Sequence, residues 1–401
     1  METDLKQRVA TSVFAFRGYN QTNLGRTAEL LSHSSYGPIF EAQLNAASSA
    51  LREATGRGTN LVRRVERAEP TELSTFAEDI GVILAASIAQ IESLKTVWGV
   101  DYREARFAFG YSLGEIAALV CSGVFSLRDV YLPLAAMADD SASLGRGVTM
   151  GIVFSRDTEL NLAAVTRLCV ELTREGRGAI AISAILSPNT VLVLGQQDTV
   201  DRFKERFRDV LGERVHLRKH QGTWPPLHTP LLWDLNIPCR AGVMMRRMDG
   251  GLTAPVPPVL SLVTGKLEYN DYNAREFLHR WIDEPQRLWD AIYAVLADGV
   301  DTIIHVGPEP TLIPATFRRL SDNVKAQLAS GWLNTLGLRA VQNIWRPWLA
   351  RWLSSKSALL RAPYIEHVIL EDWLLEQQPA AVEEAQVPAK DRASVDPGQG
   401  S

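Results

Sequence analysis

The sequence predicts an α/β protein in which a small βαββαβ unit is inserted into a larger α/β domain. Three observations support this fold class. Short apolar runs alternate with longer segments of helical periodicity, which is typical of α/β proteins. After residue 144 the order changes to strand, helix, strand, strand, helix, strand, and the first pattern resumes beyond it. A Gly-x-Ser-x-Gly turn stands between a strand and a helix of the larger domain.

The larger domain is predicted over residues 1–143 and 219–330. Its predicted elements are a strand at 11–16, a helix from Thr27, a helix at 77–98, a strand at 105–109, a strand at 259–265, a helix at 288–299 and a strand at 301–307. The inserted unit is predicted at 144–218. Its strands are expected at 147–155, 179–187, 190–196 and 214–220, with helices at 157–176 and 197–211.

Two further segments follow the larger domain. Trp and Leu recur at helical spacing over residues 331–378, which predicts a C-terminal helical extension that covers the sheet or docks on a partner complex. Residues 379–401 are polar and contain proline, so we expect a disordered tail.

Composition and charge narrow the function classes. The net charge is −4 and no long basic run is present, so nucleic acid is not an expected partner. The cysteines at 121, 169 and 239 lack metal-ligand spacing, and we expect reduced thiols and no metal site. The N-terminal residues include acidic side chains and no long apolar core, so we expect no signal peptide, and we expect no apolar stretch to reach the length of a membrane span. These features predict a cytoplasmic protein that does not bind membranes.

Ser112 is the candidate nucleophile. It lies between Gly110 and Gly114, where a buried strand ends and an apolar helix begins. A serine in a sharp strand-to-helix turn is exposed to substrate, and its neighbours must be small because the strand and the helix pass closely. The free N–H groups of the helix N-terminus favour developing negative charge. A purely structural turn is the alternative.

A serine nucleophile needs a base, and histidine is the usual one. The chain has seven histidines, most of them in charged or polar segments. His228 lies in the Pro-rich loop GTWPPLHTPLL after the inserted unit, where the chain returns to the larger domain. By itself His228 is not distinguished from a surface or core histidine.

The order of several motifs resembles one family, the malonyl-CoA:acyl-carrier-protein transacylases, the acyltransferase domains of fatty acid and polyketide synthesis. Over residues 12–325, GYSLGE resembles the family's Gly-His-Ser-Leu-Gly-Glu, HTPLL its His-Ser-Pro-Leu-Met, SLVTG its Ser-Asn-Val-Thr-Gly, and HVGPEPTL its Glu-Ile-Gly-Pro-x-x-x-Leu. The resemblance implies a hydrolase-like α/β domain with a nucleophile elbow and a ferredoxin-like inserted subdomain.

The resemblance also implies residue roles. Ser112 is then the nucleophile and His228 its base, oriented by the backbone carbonyl of Leu262. The oxyanion hole is expected from the N–H groups of Leu113 and Tyr19. The substrates and partners implied are a coenzyme A thioester and an acyl carrier protein with its phosphopantetheine arm, and no permanently bound cofactor is expected.

The sequence departs from the family in its expected acyl pocket. Malonyl-using members carry an arginine on the helix after the segment that corresponds to GVFSLRD, and counting from Gly123 places Met137 there. Because methionine cannot pair with a carboxylate, we expect an acyl group without a free carboxylate. Tyr111 and Leu186 replace family histidine and asparagine in the same pocket. A hydrolase with the same residues, or a catalytically silent docking module, remains an alternative to the transferase.

Overall fold

The structure is a computed structural model of the 401-residue chain, and residues 5–21, 24–335 and 347–377 are described. The predicted tail at 379–401 lies outside the described residues, as does part of the predicted C-terminal extension. The strands are β1 Ser12–Phe16, β2 Phe107–Gly110, β3 Val148–Ser155, β4 Ile180–Ser187, β5 Thr190–Gln196, β6 Val215–Thr223, β7 Val259–Leu260, β8 Thr302–Val306 and β9 Glu366–Ile369.

The helices follow the alternation that the sequence predicts. They are α1 Leu5–Arg8, α2 Thr27–Ser32, α3 Gly37–Thr55, α4 Leu61–Glu66, α5 Phe76–Trp98, α6 Leu113–Cys121, α7 Leu127–Gly145, α8 Leu162–Arg174, α9 Thr199–Leu211, α10 Ile237–Met245, α11 Ala274–Asp283, α12 Leu288–Asp298, α13 Leu312–Thr335, α14 Pro347–Ser355 and α15 Leu370–Glu376.

The larger domain is built on a parallel sheet with the strand order β7-β2-β1-β8-β9. Every residue of β1, β2 and β8 is buried, because helices cover both faces of the sheet. The carboxyl ends of β1 and β2 lie side by side, with Phe16 opposite Gly110. Residues that follow these two strands therefore meet at one edge of the sheet.

The inserted unit is an antiparallel sheet with the order β4-β5-β3-β6. Helices α8 and α9 pack on one face through Leu168, Phe203 and neighbouring apolar residues. This is the ferredoxin-like subdomain, and the predicted fold class is confirmed. Strand β6 continues to Thr223, so the predicted boundary at residue 218 falls inside a strand.

The C-terminal extension differs from the helical prediction. Residues Glu366–Ile369 form β9, which pairs in parallel with β8 and extends the large sheet. A free outer edge of β8 would expose unpaired backbone groups, and β9 covers it. The prediction of an entirely helical extension is therefore wrong at this strand, whose four residues are too few to show a period.

Helix α5 crosses the interior of the larger domain. In the described residues, the segment Leu73–Trp98 is one helical stretch with the length and hydropathy of a membrane span, and 72% of its most apolar window is buried inside the protein. The expectation that no apolar stretch reaches that length is wrong, because the core helix of a large α/β domain can be equally long and apolar.

Candidate active site

The turn at Ser112 has the backbone of a nucleophile elbow. Ser112 joins β2 to α6 with φ 54° and ψ −120°. Residues other than glycine rarely adopt this backbone conformation, which stores about 1–3 kcal/mol of strain. A Cβ on Gly110 would overlap the backbone of Gly114, and one on Gly114 would lie 2.6 Å from the carbonyl oxygen of Arg17. Both glycines are required because β2, α6 and the loop after β1 pass this closely.

The structure brings Ser112 and His228 together. Ser112 Oγ lies 2.7 Å from His228 Nε2, and both residues are buried. His228 Nδ1 lies 2.7 Å from the carbonyl oxygen of Trp281. A carbonyl can only accept, so Nδ1 carries the proton and Nε2 is free to accept one from Ser112. Burial lowers the pKa of His228 to about 4, which keeps the imidazole neutral at pH 7.

The predicted role of Leu262 is wrong. Its carbonyl accepts a hydrogen bond from the N–H of Arg287 at 2.8 Å, and its own N–H donates to the Glu115 carboxylate at 3.0 Å. The turn after β7 is thus fastened to α6 and to the start of α12, away from the histidine ring. The carbonyl of Trp281, at the end of α11, orients His228 instead.

Residues 281–286 position both Ser112 and His228 through hydrogen bonds. The N–H of His228 donates to the carbonyl of Ile282 at 2.7 Å. The indole N–H of Trp281 donates to the carbonyl of Ser112 at 3.1 Å, and the side-chain oxygen of Gln286 accepts from the N–H of Ser112 at 3.2 Å. The Trp281 ring meets the His228 ring edge-on, with centroids 4.8 Å apart. No motif marked Trp281 or Gln286, and sequence reasoning missed both.

A large cavity of about 750 Å³ opens on one side of Ser112 and His228. It lies between the small sheet and α13, with apolar walls that include Met150, Ile152, Leu192, Leu312, Ile313 and Leu320. Tyr111 and Leu186 line this cavity and Met137 does not, so the prediction that these three residues share one acyl pocket is wrong. Cationic side chains at 17, 156, 218 and 319 also reach its wall.

A small apolar cavity of about 40 Å³ lies on another side of Ser112. Met137 lines it together with Ile80, Val130, Leu134, Met245 and Leu278. Helix α7, which carries Met137, begins at a capping box between Ser126 and Asp129. Among the described residues, no charged side chain lines this cavity.

The two arginines nearest Met137 in sequence point to other partners. Arg128 is exposed and pairs with Glu53, and exposed Arg146 donates to Ser143 Oγ at 2.8 Å. Neither contributes to the small cavity.

The predicted oxyanion-hole residues both border Ser112. Leu113 is the first residue of α6, and such an N–H has no acceptor within its own helix. Tyr19 follows β1 and lines both cavities together with Ser112. Its ring packs edge-on against Phe76 and Trp224, with centroids 4.8 Å and 6.0 Å away. Their role as N–H donors stays a prediction.

The site depends on a protein nucleophile and base, and the described part of the chain contains no group of three or more His, Cys, Asp or Glu that could hold a metal ion. Cys121, Cys169 and Cys239 are free thiols away from the Ser112–His228 pair.

A buried Ser–His pair on a nucleophile elbow, in an α/β domain with a ferredoxin-like insert, is an arrangement that can form an acyl-serine intermediate. No family model matches the chain. The malonyl CoA-acyl carrier protein transacylase of Escherichia coli K12 is 26% identical over 318 residues, which are 78% of this chain and 94% of that protein. The chain is thus similar to malonyl CoA-acyl carrier protein transacylases and to part of a polyketide synthase, which supports the resemblance found in its motifs.

A second relative and a solved structure show the same likeness. The polyketide synthase GfsA of Streptomyces halstedii is 26% identical over 311 residues, 75% of this chain, and the chain spans only 4% of that synthase. The crystal structure of FabD from Acinetobacter baumannii superposes with a TM-score of 0.63 at 19% identity, covering 77% of this chain and 91% of FabD. At that identity the structure supports the fold alone.

Proposed function

We propose that this protein moves an acyl group from a coenzyme A thioester to the phosphopantetheine thiol of an acyl carrier protein through an acyl-Ser112 intermediate. The observation that carries the proposal is the 2.7 Å contact between Ser112 Oγ and His228 Nε2, with Nδ1 fixed by a backbone carbonyl. The family relatives include proteins named for transfer to acyl carrier protein. The free cysteines suit a cytoplasmic enzyme.

In the first half-reaction Ser112 Oγ attacks the thioester carbonyl, and its proton passes to His228 Nε2. The oxygen of the tetrahedral intermediate takes the negative charge, where the N–H groups of Leu113 and Tyr19 would stabilise it. The C–S bond then breaks, the proton on Nε2 goes to the departing coenzyme A thiolate, and the acyl group stays on Ser112 as an ester.

The second half-reaction runs the same steps with a new nucleophile. His228 takes the proton of the phosphopantetheine thiol, the thiolate attacks the acyl-Ser112 ester, and the proton returns to Ser112 Oγ. The large cavity between the two domains would take the pantetheine arm, and Arg156, Arg218 and Arg319 at its wall would face the phosphate-bearing ends of both substrates.

We also propose that the acyl group lacks a free carboxylate. The small cavity beside Ser112 is apolar, Met137 stands where malonyl-using relatives are expected to have arginine, and no described cation reaches it. An ionised carboxylate placed there would lose its hydration without gaining a partner, at a cost of several kcal/mol. A small volume and apolar walls fit an acetyl or another short chain.

The test is intact-protein mass spectrometry with acetyl-, butyryl- and malonyl-CoA, each with and without a phosphopantetheinylated carrier protein. We expect an adduct from acetyl-CoA that transfers to the carrier and is absent in Ser112→Ala. A dominant malonyl adduct would contradict the acyl preference. Release of free acid with no transfer would support the hydrolase, and no adduct from any donor would support the silent module.

A further inference from the structure

The C-terminal extension places a buried carboxylate against two loops of the larger domain. Glu371, the second residue of α15, is 4% exposed. Its Oε2 accepts a hydrogen bond from the N–H of Arg26 at 3.1 Å, and its Oε1 accepts from the N–H of Glu309 at 2.9 Å. One side chain therefore joins the loop after β1 to the loop after β8.

The loop after β1 is shaped to fit this carboxylate. Gly25 has φ +56°, and a Cβ there would lie 2.7 Å from both carboxylate oxygens of Glu371. On either side, Arg26 pairs with Asp372 at 3.2 Å, and the Tyr36 hydroxyl donates to the carbonyl of Leu374 at 2.9 Å. The start of α15 is thus fastened to residues 25–36 at several points.

Arg17 links the two loops to each other close to the nucleophile. The N–H of Arg17 donates to Val306 at 3.0 Å, and its guanidinium donates to the carbonyls of Pro308 and Gly18. Gly18 lies against the elbow so closely that a Cβ would be 2.5 Å from the carbonyl oxygen of Tyr111. Contacts therefore run without a gap from Glu371 to the residues that flank Ser112.

We propose that Glu371 is a positioning residue that holds residues 17–21 and 24–26, after β1, in the geometry in which the Tyr19 N–H faces the oxyanion. The proposal rests on the proposed acyl transfer, since it assigns a role in that reaction. It also gives the C-terminal extension a function in the site beyond covering the sheet. A carboxylate suits this position because it offers an acceptor to each of two backbone N–H groups, whereas an amide offers one acceptor and one donor.

The experiment compares Glu371→Gln with Glu366→Gln in the full chain. Glu366 is a matched control because it also ties the extension to the body, through an exposed pair with Arg8 at 2.8 Å, while its hydrogen bonds within the described residues go to neither loop. The assay is single-turnover acylation of Ser112 by acetyl-CoA, together with hydrogen exchange of residues 17–26. We expect Glu371→Gln to lower the acylation rate constant at saturating donor by about 10- to 100-fold with KM changed by less than about twofold.

Glu366→Gln should leave both constants and the loop exchange unchanged, while Glu371→Gln should speed exchange at 17–26. An unchanged acylation rate in Glu371→Gln would overturn the proposal, as would a loss carried by KM alone. If Glu371→Gln does not fold, Glu371→Asp, which keeps the charge and shortens the reach, is held to the same criteria.

The proposed function can fail separately from this inference. If the unsubstituted chain forms no acyl-Ser112 with any donor, the acyl transfer proposal fails. The reaction of Ser112 with a fluorophosphonate then replaces acylation as the readout, because it also develops negative charge on an oxygen beside the serine. Equal fluorophosphonate rates and equal loop exchange in Glu371→Gln and the unsubstituted chain would then overturn the positioning role.

Discussion

Placing a cation in the small cavity should change which acyl group is accepted. Met137 lies on α7 with 8% of its surface exposed, and it borders the same cavity as Ser112. The substitution Met137→Arg would bring a guanidinium to the position where the family relatives that use malonyl are expected to hold the substrate carboxylate. We expect the substituted enzyme to gain malonyl transfer relative to acetyl transfer.

The size of the change follows from the environment of Met137. Removing one partner of a buried ion pair costs about 3–5 kcal/mol, because the other charge is left buried and unpaired. A malonyl carboxylate in the unsubstituted cavity would be such an unpaired charge. The cavity of about 40 Å³ is little larger than the volume of one water molecule, so arginine must displace its neighbours at a cost of about 1–3 kcal/mol. The midpoints of the two ranges, about 4 and about 2 kcal/mol, differ by about 2 kcal/mol, which corresponds to a shift of about 30-fold in the malonyl-to-acetyl ratio.

The assay is competition between acetyl-CoA and malonyl-CoA for Ser112, read by intact mass as the ratio of the two kcat/KM values. Met137→Gln is the control, because it adds polarity without charge and should shift the ratio far less. A ratio that moves by less than about twofold in Met137→Arg, in a protein that remains folded, would refute the reasoning about the missing cation.

Three further substitutions or titrations test the geometry of the site. Gly114→Ala should lower Ser112 acylation by about 100-fold, because the new Cβ would push α6 away from the loop after β1, and stopped-flow acylation measures it. An NMR titration should show His228 protonating near pH 4, with the imidazole neutral from pH 8 down to about pH 5, since burial disfavours the charged ring. Trp281→Phe should destabilise the fold by about 0.5–1.5 kcal/mol, measured by urea unfolding, because it removes the indole hydrogen bond to the Ser112 carbonyl, which keeps the N–H of Glu115 as a donor.

For each of these three predictions, one result would contradict the reasoning. Gly123→Ala is the control for Gly114→Ala, since a Cβ at Gly123 meets nothing within 4 Å, although its φ of +78° adds strain. Equal acylation in the two variants would contradict the close-approach argument. A His228 midpoint near pH 6.5 would contradict its burial, and an unchanged free energy of unfolding in Trp281→Phe would show that the indole bond contributes nothing.

Local sterics and periodicity account for what could be predicted from the sequence. Gly110 and Gly114 are needed within one turn of Ser112, so the elbow is encoded in five consecutive residues. The ferredoxin-like unit is visible because its strands and helices are each long enough to show a period. Placing His228 opposite Ser112 needed the order of several motifs, since the two residues are far apart in sequence.

Long-range packing accounts for what could not be predicted. Trp281 acts through its backbone carbonyl and its indole N–H, and neither role restricts the residues around it in a recognisable way. Strand β9 forms because the outer edge of β8 is available, a fact of tertiary structure that four residues do not encode. The same limit applies to Glu371, whose partners are backbone N–H groups at residues 26 and 309.

A backbone carbonyl as the Nδ1 partner of His228 suits the proposed thioester chemistry better than it suits amide hydrolysis. The Nδ1 proton of His228 is accepted by the carbonyl of Trp281, which carries no charge. Burial lowers the pKa of His228 to about 4, so its imidazolium is a strong acid that gives up its proton readily. A thiol has a pKa of about 8.5, so a thiolate departs from a tetrahedral intermediate with little need for a proton. In the proposed first half-reaction a base without a carboxylate partner is then sufficient. In the second, the departing group is the Ser112 alkoxide, and the imidazolium formed when His228 takes the thiol proton returns that proton to Ser112 Oγ. Because residues 281–286 fix Ser112 and His228 together, the pair stays aligned without the third charged residue that more demanding leaving groups require.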